Sequence, residues 1–399
     1  MYGHDAARTS RNPSEAGLTV ARVGALAPQW QAALGIGNQP PSCTPAVAGG
    51  RVFACSSRTD GDNFFAFDAR TGQRLWSASL GEPQAGTVGI GASPGVGNGI
   101  VVAGGADAAY YGLDAATGAI RWRHALDSGP DDFAWASPLI AGNRVWIGVS
   151  SEGEPPGQGE VRLLDLATGV LLRSLRVVPD GERGGDIWNS AALSPDGTKL
   201  VLATGNDFGR FDGPLTRAIV ALDPATLDVF ESRQEGTPEN DLDFGTTPVV
   251  FGDAQGRTLV AANNKNGAIY AYDLQRLSAG AIWQRQEGIS VGLMPAFDAA
   301  SRTLWFAGDN GRLFAVDAAT GVDRFPGSTV GFMNGNVALA GELVLANSTG
   351  RAMVLEASTG RLLRALVPAN AGRNFSGIAV AGGSLYWLSG EYLNAWGLP

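Results

Sequence analysis

Charge is scarce in this chain: 17% of its 399 residues are Asp, Glu, Lys or Arg, and the acids outnumber the bases, for a formal net charge of −9. Lys and Arg nowhere cluster. That excludes a nucleic-acid or anionic-membrane surface, either of which needs a contiguous basic patch. No apolar run is long enough for a membrane-spanning helix, so no span is expected. The opening Met1–Asp5 lacks the basic and apolar regions of a signal peptide. With only two histidines, His4 and His124, there is no catalytic pair or triad, and both are assigned to structure or solvent. Nucleotide-binding loops, zinc-ligand spacings and the CxxCH of covalent haem are also missing.

Cysteine is nearly absent. Cys43 and Cys55 flank a segment that reads as a hairpin turning at Gly49-Gly50, which would bring the two sulfurs within bridging reach. A disulfide, favouring an oxidising compartment, and two buried thiols both stay open at this stage.

What is abundant is glycine, 57 residues, with 21 prolines and 44% hydrophobic residues. That balance suits many short strands separated by tight turns around a large core. One phrase recurs: Phe65-Ala66-Phe67-Asp68-Ala69-Arg70-Thr71-Gly72, then Tyr111 to Gly118, then Leu163 to Gly169. Further copies centre on Asp223, Asp273, Asp317 and Glu356, and a degenerate one ends at Gly397. From anchor to anchor the spacings are 46, 51, 58, 50, 44, 39 and 41 residues, in the range of four-stranded propeller blades.

Each phrase reads as an apolar strand ending in an Asp that accepts turn amides, followed by a Gly able to take positive φ. Aromatics follow several copies, at Trp76, Trp122 and Trp283, placed to pack between neighbours. Pairs such as Thr44-Pro45, Ser93-Pro94, Ser137-Pro138, Thr247-Pro248 and Met294-Pro295 open the inner strands. The expected fold is all-β: one domain over 1–399, an eight-bladed β-propeller of four-stranded antiparallel blades. The blades run from about residue 40 to 399, and an N-terminal strand over 18–34 closes the ring with the last blade.

These phrases resemble the repeat of pyrroloquinoline-quinone (PQQ) proteins over nearly the whole chain. The same repeat builds non-enzymatic scaffolds such as the outer-membrane assembly lipoprotein, so a propeller binding protein or glycan through its rim loops is the competing reading. More specific stretches resemble quinoprotein alcohol dehydrogenases and, in overall texture, polyvinyl-alcohol dehydrogenases. Ser150 to Gly159 matches the stretch in which a glutamate ligates calcium, which falls on Glu154. Asp186-Ile187-Trp188-Asn189-Ser190, followed by Thr204-Gly205-Asn206, matches a Trp that stacks on the quinone and an Asn that ligates calcium. Thr237 to Gly245 matches the loop of the catalytic aspartate, here Asp243, also counted among the metal ligands, with Asp241 beside it. Asn264-Lys265-Asn266-Gly267 matches the phrase whose basic residue, here Lys265, reaches the quinone oxygens.

The resemblance implies PQQ and Ca²⁺ as cofactors, Asp243 as proton acceptor and hydride transfer to the quinone. It also implies a small or polymeric alcohol as substrate, a separate electron acceptor such as a cytochrome, and a periplasmic or secreted location. The opening Met1–Asp5 resembles that family's mature N-terminus. Gly245 stands where lanthanide-dependent relatives carry an extra acid, which favours calcium. Three departures stand out: the family's adjacent cysteine pair is absent, Asn240 replaces an acid, and the loops over the channel are short, leaving room for a bulky alcohol.

Overall fold

The computed structural model describes residues 1–35, 40, 42–58, 60–82, 89–126, 132–151, 157–207, 211–238, 241–288, 294–333 and 335–399. Its strands form eight sheets around a ring, each built on four antiparallel strands; Arg11–Asn12 adds a parallel strand to the seventh, beside Ala338–Ala340, and Asp132–Phe133 a short strand to the third. Blade 1 comprises 46–48, 51–55, 64–68 and 74–78, and blades 2 to 7 repeat that order. Blade 8 takes three strands from 378–397 and its outermost from Ala27–Ala33, which pairs antiparallel with Tyr392–Gly397. The closing strand is thus shorter than 18–34, because Val20–Ala25 forms a 3-10 turn. Pairing first and last segments in one sheet leaves no open edge at the seam.

The two middle strands of each blade are buried on both faces, as in Phe64–Asp68 and Ile100–Gly104. They therefore read as continuous apolar runs rather than alternating ones. Alternation fails because each blade stacks face to face on its neighbours. Outer strands such as Leu171–Arg176 are mostly exposed.

The recurring phrase has a double purpose. Asp165 Oδ1 accepts the N–H groups of Ala167 (3.1 Å) and Thr168 (2.9 Å), closing the turn between the third and fourth strands of blade 3. Gly169 then takes φ +68°, and a Cβ there would stand 2.6 Å from Trp122 of blade 2. The Trp122 indole N–H donates to Leu166 O (2.9 Å). So the glycine is required by the turn and by the indole of the preceding blade. Trp30 on Gly72, Trp76 on Gly118 and Trp283 on Gly321 repeat the contact, with indole N–H groups donating to Ala69, Ala115 and Ala318 carbonyls.

A second seam runs around the axis. The Thr44 N–H donates to Ser93 Oγ (2.8 Å), Ser93 N–H to Ser137 Oγ (2.9 Å), Ser137 N–H to Ser190 Oγ (2.8 Å) and Ser190 N–H to Thr247 Oγ1 (2.9 Å). Gly377 of the last blade donates to Thr44 Oγ1 (2.8 Å). The hydroxyl-proline pairs at Thr44, Ser93, Ser137 and Thr247, with Ser190, therefore open inner strands and also stitch blades 1 to 5 in series, with blade 8 joined to blade 1. Across the axis lies the N-terminal segment: the carbonyls of Ala6, Ala7, Thr9 and Ser10 accept N–H groups from Leu193, Val250, Phe297 and Leu339 of four successive blades. Arg8, fully buried, donates to Ala191 O (2.8 Å) and Ser137 O (3.2 Å).

Cys43 and Cys55 are disulfide-bonded with Cα atoms 6.1 Å apart. Of the two alternatives the bridge holds, because Gly49 and Gly50, both at positive φ, form a two-residue hairpin turn that sets Ala46 opposite Phe53.

Candidate active site

Strand direction alternates within a blade, so the turns between second and third strands and the links from one blade to the next share one end of the ring. The Asp-x-x-x-Gly turns sit at the other end. The described residues singled out by chemistry lie at the first end. Asp186 and Trp188 are in the link from blade 3 to blade 4, Asn206 follows the second strand of blade 4, Asp241 and Asp243 are in the link to blade 5, and Lys265 is in the second turn of blade 5.

Backbone hydrogen bonds draw these four segments together. Gly205 N–H donates to Asp186 O (2.8 Å) and Gly185 N–H to Asn206 O (2.6 Å). Lys265 N–H donates to Asp243 O (2.8 Å), and Gly245 N–H to Asn263 O (2.9 Å). The Asn189 side chain donates to Phe244 O (2.6 Å), tying the Trp188 link to the Asp243 link.

The side chains then meet. Trp188 Nε1 donates to Asp243 Oδ2 (2.9 Å), and Lys265 Nζ stands 2.6 Å from Asp243 Oδ1 and 2.7 Å from Asp241 Oδ1. The same ammonium lies 5.0 Å from the Trp188 ring centroid. Asn206 Nδ2 donates to Asp241 Oδ1. Trp188, Asn206, Asp243 and Lys265 thus form one cluster, with Asp241 joining Lys265 to Asn206 on its exposed side. Glu154 and Asn240 lie outside the described residues.

Burial governs the electrostatics. It pushes the Asp243 carboxyl above the usual carboxylate range, against the Lys265 ammonium and the Trp188 N–H, which act downward. Burial would lower Lys265, but the Asp243 and Asp241 carboxylates outweigh it and hold the ammonium above its ordinary value. Asp186, to which sequence reasoning gave no role, is pushed up to about 7 by burial and by the neighbouring Asp243 charge.

Beside the cluster a cavity of about 210 Å³ opens on the hydroxyl ring, lined by Trp188, Trp135, Phe375, Gly91 and the Ser93, Ser137, Ser190 and Thr247 hydroxyl residues. Trp135 stacks on Phe133 with centroids 4.7 Å apart and planes at 11°. Its role was missed because nothing in its local sequence marks it; only closure of the ring brings blade 3 to the cavity. The disulfide adjoins Ser42 on the same wall.

A family model described as outer membrane protein assembly factor BamB, built on the PQQ-type repeat, matches residues 19–207 and 65–326. The chain belongs to this family of PQQ-repeat propellers. A polyvinylalcohol dehydrogenase from a Pseudomonas species is 24% identical over 335 residues, covering 70% of this chain and 49% of that protein. The chain therefore spans about half the length of this curated relative. Among solved structures, quinohemoprotein alcohol dehydrogenase from Comamonas testosteroni superposes with a TM-score of 0.79 at 18% identity, over 100% of this chain and 80% of the other. BamB from Moraxella catarrhalis gives 0.65 at 18%, over 93% and 99%. At these identities the solved structures share the fold.

Proposed function

We propose that this propeller oxidises an alcohol with PQQ and Ca²⁺ bound on its axis. The observation that carries the reading is the meeting of Trp188, Asp243, Lys265, Asp241 and Asn206 in one cluster beside an aromatic-walled cavity. A rim-binding scaffold, the reading that the BamB-type family model favours, has no use for carboxylates held out of water at this cost.

The residues suit both groups. The Trp188 face offers a flat, low-entropy platform for a planar ring system. Asn206 Oδ1 is buried without a hydrogen-bond partner, a hard oxygen of the kind calcium takes. Among the described residues no three Asp, Glu, His or Cys side chains close into a finished metal cluster; the donors on hand are Asp243 and the Asn206 amide, and the resemblance adds Glu154. When bound, the quinone supplies the hydride acceptor and calcium the Lewis acid that polarises it.

The chain's own groups do the rest. Asp243, deprotonated and oriented by the Trp188 N–H, takes the hydroxyl proton of the alcohol. Lys265 holds positive charge where negative charge develops, and Asp241 fixes both Lys265 and Asn206. A polymeric or small alcohol, a separate electron acceptor such as a cytochrome, and a periplasmic or secreted setting complete the proposal.

Binding is tested by titrating PQQ into protein with Ca²⁺ and following tryptophan fluorescence. Saturable quenching is expected in the native chain, with affinity reduced on the order of tenfold or more in Trp188→Ala, since base-like stacking on an aromatic is worth about 1–3 kcal/mol. Equal binding in the two proteins would remove Trp188 from the platform.

A further inference from the structure

Asp186 is a buried acid of this cluster that the proposed reaction leaves unused. Its residue is 8% exposed, and its Oδ1 has no hydrogen-bond partner. A buried carboxylate oxygen left bare is costly, so it calls for an explanation. The oxygen faces the next segment of the cluster: a Cβ on Gly205 would lie 2.6 Å from Asp186 Oδ1, and Gly205 leads directly into Asn206.

Asn206 presents a second bare oxygen. Its residue is 2% exposed, and because Nδ2 is committed to Asp241, Oδ1 is left buried and unpartnered. The charges that act on Asp186 are those of Asp243, Asp241 and Lys265. With Asp186 itself that makes three carboxylates around one ammonium, an excess of two negative charges when all are ionised. Two bare oxygens at the edge of such a cluster form part of a cation seat, and the missing partner is a hard ion with charge of two or more.

We propose that Asp186 is a direct ligand of the cation seated beside Asn206 and Asp243, an anionic donor beyond those the family resemblance supplies. The inference rests on the reading that the cluster takes a cation at all. It assigns the link between blades 3 and 4 two functions two residues apart, Asp186 on the ion and Trp188 on the ring of the cofactor. It also explains why position 205 is a glycine without positive φ: any side chain there would displace the Asp186 carboxylate from Asn206.

The test uses metals alone. Terbium binding to the native chain is read from luminescence sensitised by tryptophan, with Ca²⁺ as competitor, and compared in Asp186→Asn; melting is followed in EDTA and in Ca²⁺. The expected results are calcium-displaceable terbium in the native chain, calcium affinity weakened on the order of tenfold or more in Asp186→Asn through the lost anionic donor, and a calcium-induced rise in melting temperature that shrinks in the variant. In EDTA the variant should melt no lower than the native chain, because the substitution removes a bare buried charge. Native calcium affinity in Asp186→Asn would overturn the ligand assignment and leave the alcohol-oxidation reading standing. Lower melting of the variant in EDTA and in Ca²⁺ alike, or failure to fold, would make Asp186 a structural group and overturn it too. Absence of any cation binding by the native chain would overturn both.

Discussion

Asp243→Asn is expected to lower kcat for dye-linked alcohol oxidation by about 10²–10⁴-fold, the usual contribution of a general base, while PQQ affinity changes little. Asn keeps the volume, an oxygen for the Trp188 N–H and an oxygen for the cation, so the packing is preserved while the proton acceptor and the anionic partner of Lys265 are lost. The pH profile gives a second reading. Asp243 works deprotonated, and burial raises its carboxyl, so activity should rise with pH and level off above the range of a solvated carboxylate. In Asp243→Asn that acid limb should vanish. A variant that retained native kcat and the native limb would remove Asp243 from the chemistry.

Gly169→Ala is expected to lower stability by about 2–5 kcal/mol, the sum of a left-handed backbone penalty and of overpacking. One methyl group meets both obstacles at once, φ +68° and the Trp122 ring at 2.6 Å. Trp122 could yield only by giving up its bond to Leu166 O and its place between blades 2 and 3. Chemical denaturation of native and variant chains measures the loss. A change below the cost of the backbone alone would mean that the blades slide without resistance and that the aromatic contact is not what holds them.

These two predictions concern opposite ends of the ring, and the division explains what could be read in advance. The Asp-x-x-x-Gly phrase is legible because most blades solve the same local problem, a turn against the preceding blade's aromatic, in the same way, so the solution recurs and its spacing counts the blades. Cys43 and Cys55 were half legible: Gly49-Gly50 marked the turn, but bridging depends on how the strand ends approach, which sequence does not carry.

The other end holds the irregular links, where no repetition helps. Trp188, Asn206, Asp243 and Lys265 were found by resemblance, and the structure brings them into one cluster. Asp186 and Asp241 stood in the same quoted segments without a role. The importance of Asp186 comes from burial and that of Asp241 from joining Lys265 to Asn206, each through neighbours 20 to 60 residues away, as in Asn206 to Asp241 or Asp186 to Asp243, on which local sequence is silent. Thr44, Ser93, Ser137 and Thr247 were legible as strand openings but not, together with Ser190, as a seam, because each bond crosses to a different blade.

The measurement that bears most directly on the central claim is reconstitution: the purified chain with PQQ and Ca²⁺, an artificial dye as electron acceptor, and a panel of small and polymeric alcohols. The account expects dye reduction that requires PQQ, Ca²⁺ and an alcohol together. Saturable PQQ binding without turnover on any alcohol, or no PQQ binding at any calcium concentration, would contradict it.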